Sequence, residues 1–216
     1  MYHYEYVPAE EWKPVKAELL TIIHKLQDEV REHFTFQFQF VGSSKRNMIT
    51  HDPRTNTGYD FDVNLEVNDP NEDYTPKEIR EILRRGLDRV TNPPSPLPIR
   101  GYDYAENSTR VLTIKVKDKK NACIKHSCDF CIVYNCGDGR QQYIRYNKIL
   151  NTFSWEYQPK EYQNLPKKIE WLKKHGSWGD VRERYLHKKN TNTDPNKRSR
   201  TIFVETVNEI WDNNRT

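Results

Sequence analysis

The sequence predicts an α+β fold: a mixed, largely antiparallel sheet backed by helices, with a helical segment towards the C-terminal end. Three observations carry that prediction. Over residues 12–34, Val15, Leu19, Ile22, Ile23, Leu26, Val30 and Phe34 recur at the spacing of one helix face. The period then switches at once to two, with Phe34, Phe36, Phe38 and Phe40 alternating with Thr35, Gln37 and Gln39. After several further strand-like runs, helical periodicity returns from Asn164 onward. Helix, strand, strand, helix, antiparallel strands and closing helices is an α+β order.

Each element has its own signal. Pro14 fits the first turn of a helix, so the first helix is expected to begin close to it. The phenylalanine strand ends at Gly42. A second strand runs through Asp60-Phe61-Asp62-Val63, with Leu65 and Val67 continuing the alternation. Thr75-Pro76-Lys77-Glu78 reads as a capping box with proline at the first helical position. The helix it opens carries Ile79, Ile82, Leu83, Leu87 and Val90 on one face, and the proline-rich run over residues 92–98 stops it. Strands are expected over residues 99–104, 110–116, 123–134 and 140–147, with turns over residues 117–121 and 136–139. Helices are expected over residues 166–175, 180–189 and 199–211. The division this suggests is a sheet-containing core over residues 1–158 and a helical segment over residues 159–216.

Composition narrows the class. The 216 residues are 31% charged and 12% aromatic, with a mean hydropathy of −1.01. Disordered chains are poor in aromatics, so a folded protein with large polar surfaces is expected. Net charge is only +4. Residues 160–200, however, hold 12 Lys and Arg against 5 Asp and Glu, which leaves the remainder slightly acidic. A basic segment beside an acidic strand suits a metal-bridged polyphosphate, and equally a solvated helix face. No apolar run approaches the roughly 18–20 residues that span a bilayer, and the opening residues lack a signal-peptide core. A cytoplasmic protein without a membrane partner is expected.

The chemistry centres on residues 40–67. Asp60 and Asp62 are two apart, so on a strand both carboxylates share a face, while Phe61, Val63, Leu65 and Val67 anchor the other face in a core. Such a strand is suited to holding a hard cation. Two-metal phosphoryl or nucleotidyl transfer needs carboxylates that hold ions about 3.5–4 Å apart. The best third carboxylate is Asp129, inside the β-rich run over residues 124–134. An Asp in an apolar strand is costly without a partner, which a shared metal or, at a sheet edge, water would supply. Gly42-Ser43-Ser44 ends the preceding strand, where a glycine turn lets backbone N–H groups and hydroxyls approach a phosphate.

Cys123, Cys128, Cys131 and Cys136 fall within 14 residues. A zinc knuckle needs a turn, yet Cys128-Asp129-Phe130-Cys131 contains no Gly or Pro. On a strand its two thiols face opposite ways and cannot chelate one ion. Small buried cysteines are the better reading, without disulfides. His51, His126 and His187 read as ordinary surface or core residues.

A Gly-Ser turn, an Asp-x-Asp strand and a later strand Asp together resemble the polymerase-β-like nucleotidyltransferase superfamily. Their order looks most like the branch of oligoadenylate synthetases, cyclic GMP-AMP synthase and their bacterial relatives. The long first helix, the strand Ser108 to Ile114 ahead of Asp129, and the basic helix ending Tyr185-Leu186-His187-Lys188-Lys189 support the likeness. The Asn47-Met48 pair departs from the Gly-Thr often found after Gly-Ser, and the loop before Asp60 is long. The resemblance implies a palm-like catalytic core and two Mg2+ or Mn2+ ions on Asp60, Asp62 and Asp129. A nucleoside triphosphate such as ATP would sit on Gly42, Ser43 and Ser44, with Lys188 or Lys189 and Ser199 contacting its phosphates.

The implied reaction is transfer of a nucleoside monophosphate to a hydroxyl acceptor with release of pyrophosphate, making an oligonucleotide or cyclic nucleotide messenger. Transfer to RNA, a small molecule or a protein is the alternative acceptor class, and RNA is a candidate partner. A reading of another class is a non-catalytic nucleotide- or RNA-binding module. The carboxylate trio argues against it, because a binder has no need for three costly acids in one cleft.

Overall fold

A computed structural model of the chain describes residues 2–92, 101–158 and 164–215. The fold is α+β, with a mixed sheet and helices, as the periodicities predict. In chain order the elements are β1 (Glu5–Tyr6), α1 (Ala9–Val30), β2 (Thr35–Val41), α2 (Gly42–Lys45), β3 (Thr50–His51), β4 (Tyr59–Asn68), α3 (Pro76–Thr91) and β5 (Glu106–Asn107). There follow β6 (Val111–Asp118), β7 (Cys123–Asn135), β8 (Gln141–Asn147), β9 (Thr152–Tyr157), α4 (Leu165–Lys174), α5 (Trp178–Thr191) and α6 (Ser199–Asn213). The chain forms two compact units: a core of residues 7–49 and 55–158, and a second unit of residues 1–6, 50–54 and 159–216.

The core unit is built on the strand order β2-β4-β7-β6-β5, with β8 pairing the end of β7 and β9 pairing β8. β2 runs antiparallel to β4, from Thr35 opposite Asn68 to Val41 opposite Asp62. β4 and β7 are parallel, from Tyr59 opposite His126 to Glu66 opposite Val133. A parallel pair needs a crossover, and α3 lies on the connection between them. β6 pairs antiparallel with β7, and β8 takes over at Val133–Asn135.

One sheet face is covered by α1 and α3. Leu19, Ile22, Ile23 and Leu26 of α1 join Ile79, Leu83 and Leu87 of α3, and all pack with Phe61, Val63, Leu65, Leu112, Ile114, Cys128 and Phe130 of the strands. Fully burying each such side chain stabilises by about 1.5–3 kcal/mol. Gly86 permits the helices to approach, since a Cβ there would meet Leu26 Cδ1 at 2.7 Å. Thr75 and Glu78 form the expected reciprocal cap of α3.

Arg80 of α3 is fully buried. Its Nε donates to Asn107 Oδ1 (2.9 Å), Nη1 to the Ile144 carbonyl (3.3 Å), and Nη2 to the carbonyls of Ser108 (2.5 Å) and Val111 (2.8 Å). The guanidinium lies about 6 Å from the Tyr146 and Phe153 rings. Burial pulls its pKa down to about 10, and the four oxygens offset that penalty by satisfying its donors.

In the second unit, α5 and α6 pack through Val181, Tyr185, Phe203 and Val207. β1 and β3 form a two-stranded ribbon. Lys189 secures it, with Nζ 3.6 Å from the centre of the Tyr4 ring and 2.8 Å from Thr50 Oγ1.

Several expectations need correction. α1 starts at Ala9, so Pro14 lies inside the helix. The hydrogen bond a proline forfeits there is one to the carbonyl of exposed Glu10, which water can satisfy. The Gly42 turn is one turn of helix, Gly42–Lys45. Of the strand expected over residues 99–104, residues 99–100 lie outside the described residues, as does the proline-rich run beyond Asn92. The rest contributes an isolated bridge from Tyr102 to Val116. The short strands β1, β3 and β5 have too few residues to show a period, and β9 lies outside the strands expected from the sequence.

Candidate active site

The core unit brings together Gly42, Ser43, Ser44, Asp60, Asp62 and Asp129. Asp62 and Asp129 are direct partners across the parallel β4–β7 ladder, and Asp60 sits two residues along, opposite Ser127. Since side chains alternate, all three carboxylates stand on the face opposite the helix-covered core. On its other side Asp62 faces Val41, the last residue of β2. The chain then turns at Gly42 with φ +62°, a left-handed conformation that glycine adopts without strain. A Cβ on Gly42 would stand 3.1 Å from Asp62 Cγ and closer still to Oδ2. The glycine thus permits backbone and carboxylate to touch.

Electrostatically the cluster is self-repelling. Burial, then Asp129 and Asp60, push the Asp62 carboxyl up to about 6, against the lowering effect of Arg46. The Asp129 carboxyl is raised by burial and by Asp60, and is held back by its hydrogen bond from Thr113 and by Lys115. Thr113 Oγ1 donates to Asp129 Oδ1 at 2.5 Å, and Ser127 Oγ donates to Asp60 Oδ1. Among the described residues, no three His, Cys, Asp or Glu side chains converge as a ready-made ion cage. Each outer carboxylate thus accepts a hydrogen bond from a hydroxyl of the neighbouring strand.

Within the helical turn, Ser44 is buried and its hydroxyl donates to the Val41 carbonyl at 2.9 Å. Its hydroxyl therefore braces the turn. Arg46 and Met48 both donate backbone N–H groups to the Ser43 carbonyl, at 3.1 and 2.9 Å, which closes the turn. Lys188, Lys189 and Ser199 belong to the second unit. There Lys188 Nζ pairs with Glu209 at 2.5 Å and stays partly exposed, while Lys189 is buried under Tyr4. Ser199 is the exposed first residue of α6. Of the two lysines, Lys188 is the more accessible.

The sequence reading missed Thr113 and Ser127. The signal was present for Ser127, which alternation places on the Asp129 face. Thr113 depended on the β6–β7 register, which no local pattern gives. Of the four cysteines read as buried, Cys123, Cys131 and Cys136 are only partly so, and Cys128 is fully buried with its thiol pushed well up by burial. Such a thiol is inert.

No protein-family model matches the sequence, and no curated protein matches it. Solved structures do match the fold. The Vibrio cholerae DncV cyclic AMP-GMP synthase, in complex with nonhydrolyzable GTP, superposes with a TM-score of 0.56 at 13% identity, over 90% of this chain and 52% of that one. The Bradyrhizobium diazoefficiens CD-NTase CdnG with GTP gives 0.52 at 13% identity, over 90% of this chain and 65% of that one. CdnC of E. coli MS115-1 with ATP gives 0.52 at 14% identity, over 94% of this chain and 62% of that one. The chain therefore shares its fold with these three structures. It spans about half to two thirds of their length. No described helix is long and apolar enough to cross a membrane.

Proposed function

We propose that this chain is a metal-dependent nucleotidyltransferase that moves a nucleoside monophosphate from an NTP to a hydroxyl, releasing pyrophosphate. The observation that carries the reading is the pairing of Asp62 with Asp129 across adjacent strands, with Asp60 on the same face and the Gly42 backbone against Asp62. Three carboxylates on one face repel one another, and a binding module gains nothing from that cost. The neighbours in complex with GTP or ATP, among them a cyclic AMP-GMP synthase, favour an oligonucleotide or cyclic nucleotide product.

The donor set fits Mg2+ or Mn2+. It is all oxygen, the choice of hard cations, and magnesium keeps several waters and takes few protein ligands. In such a site substrate oxygens and water complete the coordination. Asp60 and Asp62 would hold one ion, and all three aspartates a second. Bound there, the ions would neutralise phosphate charge and lower the pKa of the acceptor hydroxyl. The chain's own contribution is positional. Gly42 and Ser43 would offer backbone N–H groups and a hydroxyl to the phosphates beside Asp62. The buried strands would hold the carboxylates where the α-phosphate is attacked in line.

Incubation with radiolabelled NTPs and Mg2+, followed by separation of the products, tests the reading. Pyrophosphate release is expected, and Asp62→Ala and Asp129→Ala should each abolish it. Full activity in either variant would sink the assignment of roles, and tight metal-independent RNA binding without turnover would favour a binding module.

A further inference from the structure

We propose that Thr113 and Ser127 are positioning residues that aim the two outer carboxylates, Asp129 and Asp60, without discharging them. The inference rests on the nucleotidyltransferase reading and adds two residues to its machinery.

The arrangement is the same on both flanks of the cluster. Thr113 stands directly opposite Asp129 across β6–β7, and Ser127 directly opposite Asp60 across β4–β7. Each hydroxyl donates to the Oδ1 of its partner, Thr113 at 2.5 Å. One oxygen of each outer carboxylate is thereby tied to a strand neighbour, which leaves Oδ2 for an external ligand. A hydrogen bond to Oδ1 fixes the side-chain rotation that two like-charged neighbours would otherwise drive outward. Thr113 is β-branched and stiff about χ1, so its hydroxyl is aimed in advance.

The donor chemistry is the informative part. A lysine or arginine at either position would hold its carboxylate more firmly, yet would cancel the charge a cation needs. The nearby lysine of β6, Lys115, pairs with Glu106 at 2.6 Å and acts on Asp129 through its charge, while the hydrogen bond to Asp129 comes from Thr113. A neutral hydroxyl orients the carboxylate without placing a positive charge beside it. Outer-sphere partners of this kind typically contribute 10- to 100-fold in metal affinity or activity.

The test pairs removal with rescue: Thr113→Val keeps the shape and loses the hydroxyl, whereas Thr113→Ser keeps the hydroxyl. Ser127→Ala and Ser127→Thr do the same on the other flank. Mn2+ binding is titrated by electron paramagnetic resonance, with and without a nonhydrolysable NTP analogue, and folding is followed by circular dichroism. Thr113→Val and Ser127→Ala should each weaken Mn2+ about tenfold or more at unchanged helicity. Thr113→Ser and Ser127→Thr should restore the wild-type value. In kinetics, the Mn2+ concentration for half-maximal rate should rise while KM for NTP changes little. Wild-type Mn2+ affinity in both hydroxyl-less variants, or Mn2+ binding that survives Asp62→Ala, would overturn the proposal. If Thr113→Val fails to fold, Ser127→Ala and its rescue decide the matter. Should the wild-type protein bind Mn2+ as expected yet release no pyrophosphate, the functional reading fails while the positioning roles stand on the binding data.

Discussion

The two faces of β4 share one backbone and have opposite energetics. Phe61, Val63 and Leu65 are fully buried against α1 and α3, and burial there lowers the free energy of the folded state. Asp60, Asp62, Asn64 and Glu66 alternate with them, and burial there raises it, as the displaced Asp62 carboxyl shows. The lesson is that an unfavourable face persists when the opposite one over-determines the position of the strand. A cluster of like charges is then held in register by apolar contacts it does not share.

Exchanging substitutions between the faces should break the contrast most visibly. Phe61→Ala is expected to cost about 3–5 kcal/mol of stability in urea denaturation, as emptied aromatic core sites do. Asp62→Ala should lose all pyrophosphate release and keep its fold. An unfolded Asp62→Ala, or a fully stable Phe61→Ala, would show that the division of labour is drawn in the wrong place.

Gly42→Ala probes the boundary between the faces. Placing a side chain at φ +62° costs roughly 1–2 kcal/mol, and the added methyl must also displace the Asp62 carboxylate. Turnover should fall at least tenfold, more than the loss of stability alone accounts for. Unchanged turnover would show that the close approach has no part in the site.

Acid–base behaviour sharpens the comparison further, because the two faces titrate with opposite sign. Asp62 has a folded pKa of about 6, above its ordinary value of 3.8. Between those values the folded state holds the extra proton, so the contribution of Asp62 is present at low pH and lost as pH rises through 6. In EDTA, Asp62→Asn should therefore raise the Tm above pH 6, by about 2–4 °C per kcal/mol relieved, and have little effect below pH 4. His126, on the apolar side between Tyr59 and Tyr102, is pulled down to about 4 by burial and then by Lys125. Here the unfolded state holds the extra proton between about 4 and 6.5, so stability falls as pH drops through that window. His126→Gln should flatten that acid limb, the smallest of these effects. An unaltered acid limb would place its origin elsewhere.

Much of the fold was legible because its signals are local. The Phe34–Phe40 alternation, the Thr75–Glu78 cap and the heptad-like spacing of α1 each need only a few neighbouring residues. Asp60 and Asp62 were legible for the same reason, since alternation alone places them together. The direct opposition of Asp62 and Asp129 is different: it depends on a parallel register set by a crossover, which no window of sequence contains. Thr113 was hidden by the same fact one strand further out. The start of α1 was misplaced because Pro14 is a strong stop signal, yet the carbonyl it leaves unpaired lies at the exposed surface. Lys188 and Lys189 looked equivalent in sequence and differ because only Lys189 meets Tyr4 and Thr50.

The buried guanidinium of Arg80 has a consequence for anyone rebuilding this protein from parts. Its donors are shared among Asn107, Ser108, Val111 and Ile144, so one side chain of α3 staples the β5–β6 margin and β8 at once. These pieces form a single inheritable cassette. A graft that imports the sheet margin without its helix leaves unpaired carbonyls, and the reverse graft strands a cation in the core. Chimeras that cut between Arg80 and Asn107 should fail, and those that carry both across together should fold.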